Sequence, residues 1–291
     1  MIVNNTAEEG GIYVGVDNIL YEIYFINTIF IGNSAIDSLI SIENSLNIYF
    51  INTTFLDNKN LLFSCSSSQI NLLYSVVSNL ECTNLLPACL AYFTEKAVLM
   101  IDTVQIQNVN HLLAEGGIRL DNSYLKISNA YLIGMKTTKK KGSCISGVSS
   151  ILEINTIYVE NYDMNCIFLE ETFINLTESY FTNDQQLFEV TQGDFGTIFC
   201  KNCLSFNLSF NVFNSNNYVK DGGAITLSSL SLDAENKINS CTFINVKGEN
   251  QGGALFIDNT NLEINNSSFF GNEAFEGGAI FFQGNKIGEN N

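Results

Sequence analysis

The chain has 291 residues, of which 46% are hydrophobic and 15% are charged, and this balance excludes an intrinsically disordered protein. Its formal net charge of −17 would repel a nucleic-acid backbone or an anionic membrane surface. No run reaches the roughly 18 uninterrupted apolar residues of a membrane helix, so membrane attachment is expected only through regions outside this chain.

The first residues read as the middle of a repeat. Residues 5–12 follow the same plan as residues 272–279, each with an Asn, an acidic stretch and a Gly-Gly pair. A basic flank followed by an apolar signal run is not present at the start. We therefore expect residues 1–291 to be a single segment of a larger protein, so the missing signal does not bear on location.

Short runs with strand character follow one another along the whole chain. Residues 46–55, 125–131, 150–158 and 261–269 alternate apolar and polar positions, which is typical of half-buried strands. Residues 262–269 have the form Leu-x-Ile-x-Asn-x-x-aromatic, and the other three runs approximate it. Because no apolar stripe of period 3.6 with helix caps is present, the sequence predicts an all-β protein.

Phrases that end in Asn recur about every 27 residues, which is a solenoid signal. Their uneven spacing favours a parallel β-helix of ten to eleven coils, since its turns accept insertions while its strands stay stacked. Stacked Asn amides such as Asn129, Asn155 and Asn265 can hydrogen-bond in ladders. Asn also tolerates the left-handed conformation that a tight bend needs.

Two stretches break the rhythm. Residues 184–209 are expected to form either an irregular coil or a projecting insertion, and insertions on one side of a solenoid often carry its binding face. Lys136–Gly142 holds the only basic cluster and reads as a solvated loop.

The eight cysteines are scattered rather than grouped as a zinc site requires. Only Cys200 and Cys203 form a close pair, and they lack a partner pair. Cys144 and Cys166 occupy equivalent places in neighbouring repeats, so their Cα atoms should lie about 4.8 Å apart. A disulfide and two buried free thiols are both compatible with that placement.

The phrase Gly-Gly-Ala-Ile or a close variant occurs three times in the last third of the chain. Its glycine pairs are Gly222 with Gly223, Gly252 with Gly253, and Gly277 with Gly278. Since the phrase recurs with the coil, we interpret these glycines as a structural bend with positive φ and close backbone approach.

Together with Phe-x-x-Asn phrases, these repeats resemble those of the chlamydial polymorphic outer membrane proteins. The residues that carry the resemblance are Phe213–Asn216, Gly222–Ile225, Gly252–Leu255, Phe269–Asn272 and Gly277–Ile280. The resemblance implies a right-handed parallel β-helix of the pectin-lyase-like kind, used in adhesion. It is sharp from about residue 213 onward and diluted before it.

Residue types needed for catalysis are scarce. Arg119 is the only arginine and His111, which we interpret as a turn residue, is the only histidine. Asp221, Asp258 and Glu276 lie near repeat turns, but neither the EF-hand nor the Gly-Gly-x-Gly-x-Asp pattern surrounds them. The sequence predicts neither a catalytic set, nor a metal site, nor a cofactor.

The first functional hypothesis is therefore a non-enzymatic structural or adhesive segment, extracellular or on the cell surface, that acts as spacer, adhesin or filament component. Its expected partners are another protein or a second copy stacked on its coil ends. The alternative is a carbohydrate-binding or polysaccharide-degrading protein, for which exposed Tyr131, Tyr158 and Tyr180 would stack on sugars. We expect this tyrosine column to fill the core instead.

Overall fold

The chain forms an all-β parallel solenoid of about nine turns. The structure is a computed structural model that describes residues 1–7, 11–15, 22–44, 47–84, 87–111, 116–137, 142–163, 165–183, 193–214, 219–230 and 235–284. Every strand pairing within these ranges is parallel, and none of these residues lies in a helix. The number of turns is slightly lower than the ten to eleven expected.

Three stacks of strands make up three faces of the solenoid. Face A consists of Glu22–Ile26, Asn47–Ile51, Gln69–Leu73, the first parts of Val98–His111, Tyr124–Thr137 and Ile151–Tyr162, then Phe173–Thr177, Ser205–Ser209, Lys237–Asn239 and Glu263–Asn265.

Face B follows face A along each turn. It consists of Ile2–Val3, Ile29–Ile31, Thr54–Leu56, Val76–Cys82, the later parts of the three long strands Val98–His111, Tyr124–Thr137 and Ile151–Tyr162, then Tyr180–Thr182, Val212–Asn214, Thr242–Ile244 and Ser268–Phe270.

Face C closes each turn. It consists of Ile12–Gly15, Ser34–Glu43, Lys59–Ser66, Ala91–Thr94, Ile118–Asp121, Ile145–Val148, Ile167–Glu170, Ile198–Lys201, Ile225–Ser228, Leu255–Asp258 and Ile280–Gln283. Thr6–Ala7 pairs with the start of Ser34–Glu43, and Gly193–Phe195, Val219–Asp221 and Gly248–Gln251 form a small separate sheet.

Single residues in the left-handed conformation turn the chain at the corners. Between faces A and B, this position is held by Asn52, Asn129, Thr156 and Asn266, with φ between 48° and 58°. Asn and Gly predominate among the left-handed residues because they tolerate this conformation best. The abundance of asparagine therefore serves the corners of the solenoid.

The core is a continuous apolar column inside the three faces. On face B, the rings of Phe181, Phe213, Phe243 and Phe269 stack with centroids 4.8–5.1 Å apart and planes within 7° of parallel. The first three of these side chains are completely buried. Because strands in adjacent turns are about 4.8 Å apart, the ring spacing follows directly from the backbone.

Candidate functional site: an outward tyrosine column

Tyr131, Tyr158 and Tyr180 form a column on the outside of face B, so the expectation that they fill the core is wrong. Tyr131 pairs with Tyr158, and Tyr158 pairs with Tyr180, on adjacent strands. Tyr131 is 55% exposed and the other two are partly exposed. The inward side chains on these strands are their neighbours, such as Ile157 and Val159.

Two of the three rings are stacked face to face, and the third is tilted away from them. Tyr158 and Tyr180 are parallel to within 1°, with centroids 5.3 Å apart, whereas Tyr131 is tilted by 43° from Tyr158 at 5.9 Å. A planar ligand or a sugar stacks on a ring face, and a ring sandwiched in a ladder offers mainly its edge and hydroxyl. The tilted ring of Tyr131 at the end of the column is therefore the most accessible platform.

Polar groups surround the column. The Asn214 side-chain amide donates a hydrogen bond of 3.0 Å to the Tyr180 hydroxyl, and Gln105 precedes Tyr131 in the same outward row. Burial, followed by the negative charge of Glu160, raises the pKa of Tyr158. The column is thus an aromatic strip with planar amides and a carboxylate beside it, a combination that suits neutral or cationic ligands better than anionic ones.

The glycine pairs lie where face C begins. Gly222, Gly252 and Gly277 have φ of +63°, +68° and +60°, respectively. The second glycine of each buried pair lies against the next turn: a Cβ atom on Gly223 would meet the carbonyl oxygen of Gly253. The pairs therefore form a bend with a close approach between turns, and their apolar successors point into the core.

The position after the glycine pair, directly before a face C strand, is buried and holds a small side chain. It is held by Ala224 and Ala254, both completely buried, and strand register places Cys144 and Cys166 at the same position in earlier turns. The Cys144 and Cys166 sulfur atoms are 2.8 Å apart, and both thiols are free. The two cysteines are thus stacked on adjacent turns, as their equivalent places in the repeats predict.

Four other cysteines form disulfides, Cys82 with Cys89 and Cys200 with Cys203. Neither link was predicted, although the short spacing of each pair was a usable signal. Cys65 and Cys241 are buried free thiols, and burial raises the pKa of Cys65 to about 12.

The single histidine and the single arginine are not part of an open site. His111 is completely buried at the end of a strand rather than in a turn, and its Nε2 lies 2.8 Å from the Ser143 carbonyl oxygen. Arg119 forms an ion pair of 3.2 Å with Asp121 on face C. Neither residue lies beside the tyrosine column.

The acidic residues near the repeat turns are not brought together. Asp221 and Glu276 lie two turns apart on the small sheet side, and Asp258 ends a face C strand. The described ranges contain no group of three or more His, Cys, Asp or Glu side chains arranged to hold a metal ion. They also contain no helix with the length and apolar character needed to cross a bilayer.

The stretch 184–209 is regular where the structure describes it. Residues 184–192 lie outside the described residues, and the remainder supplies Gly193–Phe195, Ile198–Lys201 and Ser205–Ser209. The last two strands continue faces C and A in register. The described part of this stretch is therefore stacked like its neighbours. Of the basic cluster, residues 138–141 likewise lie outside the described part.

Comparison with known proteins adds no relative. None of the family models, curated proteins or solved structures compared with this chain matches it. The fold defines a parallel β-solenoid, whereas the narrower resemblance to polymorphic outer membrane proteins and pectin-lyase-like proteins has no further support.

Proposed function

We propose that the chain is a non-enzymatic structural or adhesive segment. It acts as a spacer between the parts that flank it, or it presents its outer faces to a partner. The observation that carries this proposal is the uninterrupted core of about nine stacked turns. A solenoid in which each turn supports the next is a rod, and its repeated outer faces form an extended surface.

We propose an extracellular or cell-surface location for this segment. The two disulfides support it, because disulfides persist in oxidising compartments. The strongly acidic surface is compatible with a soluble rod outside the cell and disfavours nucleic acid as a partner.

An antibody against the chain tests the location directly. It should label intact cells that produce the protein, and external protease should remove the label. Labelling that appears only after permeabilisation would contradict the proposed location. A marker of the cell interior serves as the control for membrane integrity.

The coil ends are the proposed sites of contact with a protein partner or a second copy. Side chains that are inward on complete turns are uncovered there: Ile280 is 37% and Phe282 is 62% exposed, whereas the equivalent Leu255 and Ile257 are buried. Uncovered strand edges pair readily with further strands.

Sedimentation velocity across a range of concentrations tests association through the coil ends. End-to-end association should appear as the concentration rises, and Phe282→Glu should weaken it. A monomer at all concentrations would oppose self-association.

A second candidate function is binding of a carbohydrate by the tyrosine column. The outward placement of Tyr131, Tyr158 and Tyr180 favours it, with the accessible face of Tyr131 as the principal platform. A glycan array of neutral and amino-sugar polymers tests this candidate. Loss of binding in Tyr131→Ala but not in Tyr74→Ala, which removes a 60% exposed ring at a corner, would support it. A polysaccharide-degrading activity would in addition release shorter products from a bound polymer.

A further inference from the structure

We propose that Cys144 and Cys166 become joined by a disulfide when the chain folds under oxidising conditions, which adds a covalent link between two neighbouring turns. The link would lie inside the solenoid. The two disulfides already present, Cys82–Cys89 and Cys200–Cys203, differ from it because they connect residues only seven and three positions apart. The inference concerns the folded chain itself and does not depend on the proposed location or partners.

The backbone already holds the two cysteines in the geometry of a cross-link. The Cys144 amide donates a hydrogen bond of 3.0 Å to the Cys166 carbonyl oxygen, so the residues lie directly above one another on adjacent turns. The Cα separation of adjacent strands, about 4.8 Å, falls within the range found for disulfides. The 2.8 Å between the sulfur atoms is less than 1 Å from the bonded distance of about 2.05 Å.

The surroundings leave each sulfur with the other as its only thiol partner. Both side chains are buried to 99% or more. In the turn above Cys166, the same position is occupied by Thr197 rather than by a cysteine. The Oγ1 atom of Thr197 lies 2.7 Å from the Tyr162 hydroxyl. Among the described residues, the remaining free thiols, Cys65 and Cys241, lie at other positions of the solenoid.

The reaction is a thiol–disulfide exchange with a small disulfide such as oxidised glutathione. One cysteine thiolate attacks the glutathione disulfide and releases one glutathione thiolate, and the second cysteine then displaces the other. The protein loses two protons and two electrons, and one oxidised glutathione becomes two reduced molecules. Burial in the folded core raises the pKa of Cys166 well above its ordinary value, so the exchange belongs to folding, before these turns close.

Peptide mapping tests the inference on the full chain. The denatured, reduced chain is refolded in a glutathione redox buffer, alkylated under denaturing conditions and digested without reductant. A peptide pair linked through Cys144 and Cys166 is expected, with alkyl groups on Cys65 and Cys241 only. Alkylation of both Cys144 and Cys166 in the oxidatively folded protein would overturn the proposal.

The matched variant is Cys144→Ala, because alanine already occupies this position as Ala224 and Ala254 in later turns. Oxidative folding should raise the unfolding temperature of the wild-type chain above that of the variant by roughly 5–10 °C. Chains folded with reductant should differ much less. Equal unfolding temperatures under oxidising conditions, together with the absence of the linked peptide, would exclude the cross-link whether or not the surface role holds.

Discussion

The side chain of Asn58 lies directly against the backbone of Asn33 in the preceding turn. Its Oδ1 accepts hydrogen bonds from the Asn33 backbone amide at 3.0 Å and from the Asn33 Nδ2 at 3.1 Å, and its own Nδ2 donates to the Phe30 carbonyl oxygen at 3.0 Å. Both asparagines are essentially without solvent exposure. The side-chain amide thus satisfies backbone groups at a corner where the strand ladder is interrupted.

Replacing Asn58 by alanine should destabilise the solenoid by roughly 1–3 kcal/mol, because it leaves buried donors and acceptors without partners. Urea unfolding followed by far-ultraviolet circular dichroism measures the change. The control is Asn155→Ala on the exposed side of face A, which should cost about 0.5 kcal/mol or less. Equal costs at the two positions would show that the buried amide has no special role.

Phe213 lies in the middle of the inner phenylalanine stack, between Phe181 and Phe243. Phe213→Ala should cost roughly 3–5 kcal/mol, since it leaves a cavity in a closed core. Phe210, three residues earlier, is 58% exposed and has φ of 57°. Phe210→Asn should leave stability unchanged or raise it by up to about 1 kcal/mol, because Asn tolerates that conformation better. A comparable loss in both variants would contradict the assignment of inside and outside.

The two equivalent glycines Gly253 and Gly278 should respond differently to alanine. A Cβ atom on Gly253 would meet the carbonyl oxygen of Gly278, whereas a Cβ atom on Gly278 would find its nearest neighbour, the Asn272 carbonyl oxygen, at 3.6 Å. We expect a loss of about 1–3 kcal/mol for Gly253→Ala and almost none for Gly278→Ala.

Association of the coil ends would change the second result. A turn stacked on the C-terminal end would place Gly278 in the crowded situation of Gly253. Gly278→Ala should then weaken association, measured by sedimentation, while leaving the unfolding of the monomer unaltered. Unimpaired association in this variant would show that the contact does not continue the turn-to-turn register.

Asp163 makes stability depend on pH. Burial raises its pKa above the ordinary value of 3.8, against the opposing hydrogen bond from the Thr137 amide. The folded state therefore binds the proton more tightly than the unfolded state, so this contribution stabilises in acid and is lost as the pH rises through the raised pKa. Asp163→Asn should increase stability at about pH 7 and change it little at about pH 3. A difference between variant and wild type that is independent of pH would contradict this role.

The alternation of residues predicted the strands and the solenoid, but not which side of face B is inside. Counting in twos from Leu152 and Ile154 leads through Thr156 to Tyr158, which places the tyrosine in the core. The left-handed corner at Thr156, with φ of 58°, shifts the count by one residue. Ile157 and Val159 are consequently inside, and Tyr158 is outside.

The same corner explains why Asn129 and Asn155 do not stack on each other, although the sequence pattern placed them at equivalent positions. Asn129 holds the corner position, in register with Thr156, whereas Asn155 lies one residue earlier on the outer side of face A. Only the strand register distinguishes these two positions, since both Asn residues follow an inward isoleucine closely. The glycine and cysteine positions were easier to align, because each lies at a fixed distance before a face C strand.

The covalent link between Cys144 and Cys166 would also alter how the rod responds to pulling. In a parallel solenoid each turn is held only by its neighbours, so tension along the axis removes turns one after another from the ends. The two cysteines are 22 residues apart, and closing that loop would withhold about 70 Å of extended chain from the total length released. A single buried bond would thus set the reach of the stretched molecule while the relaxed rod keeps its length.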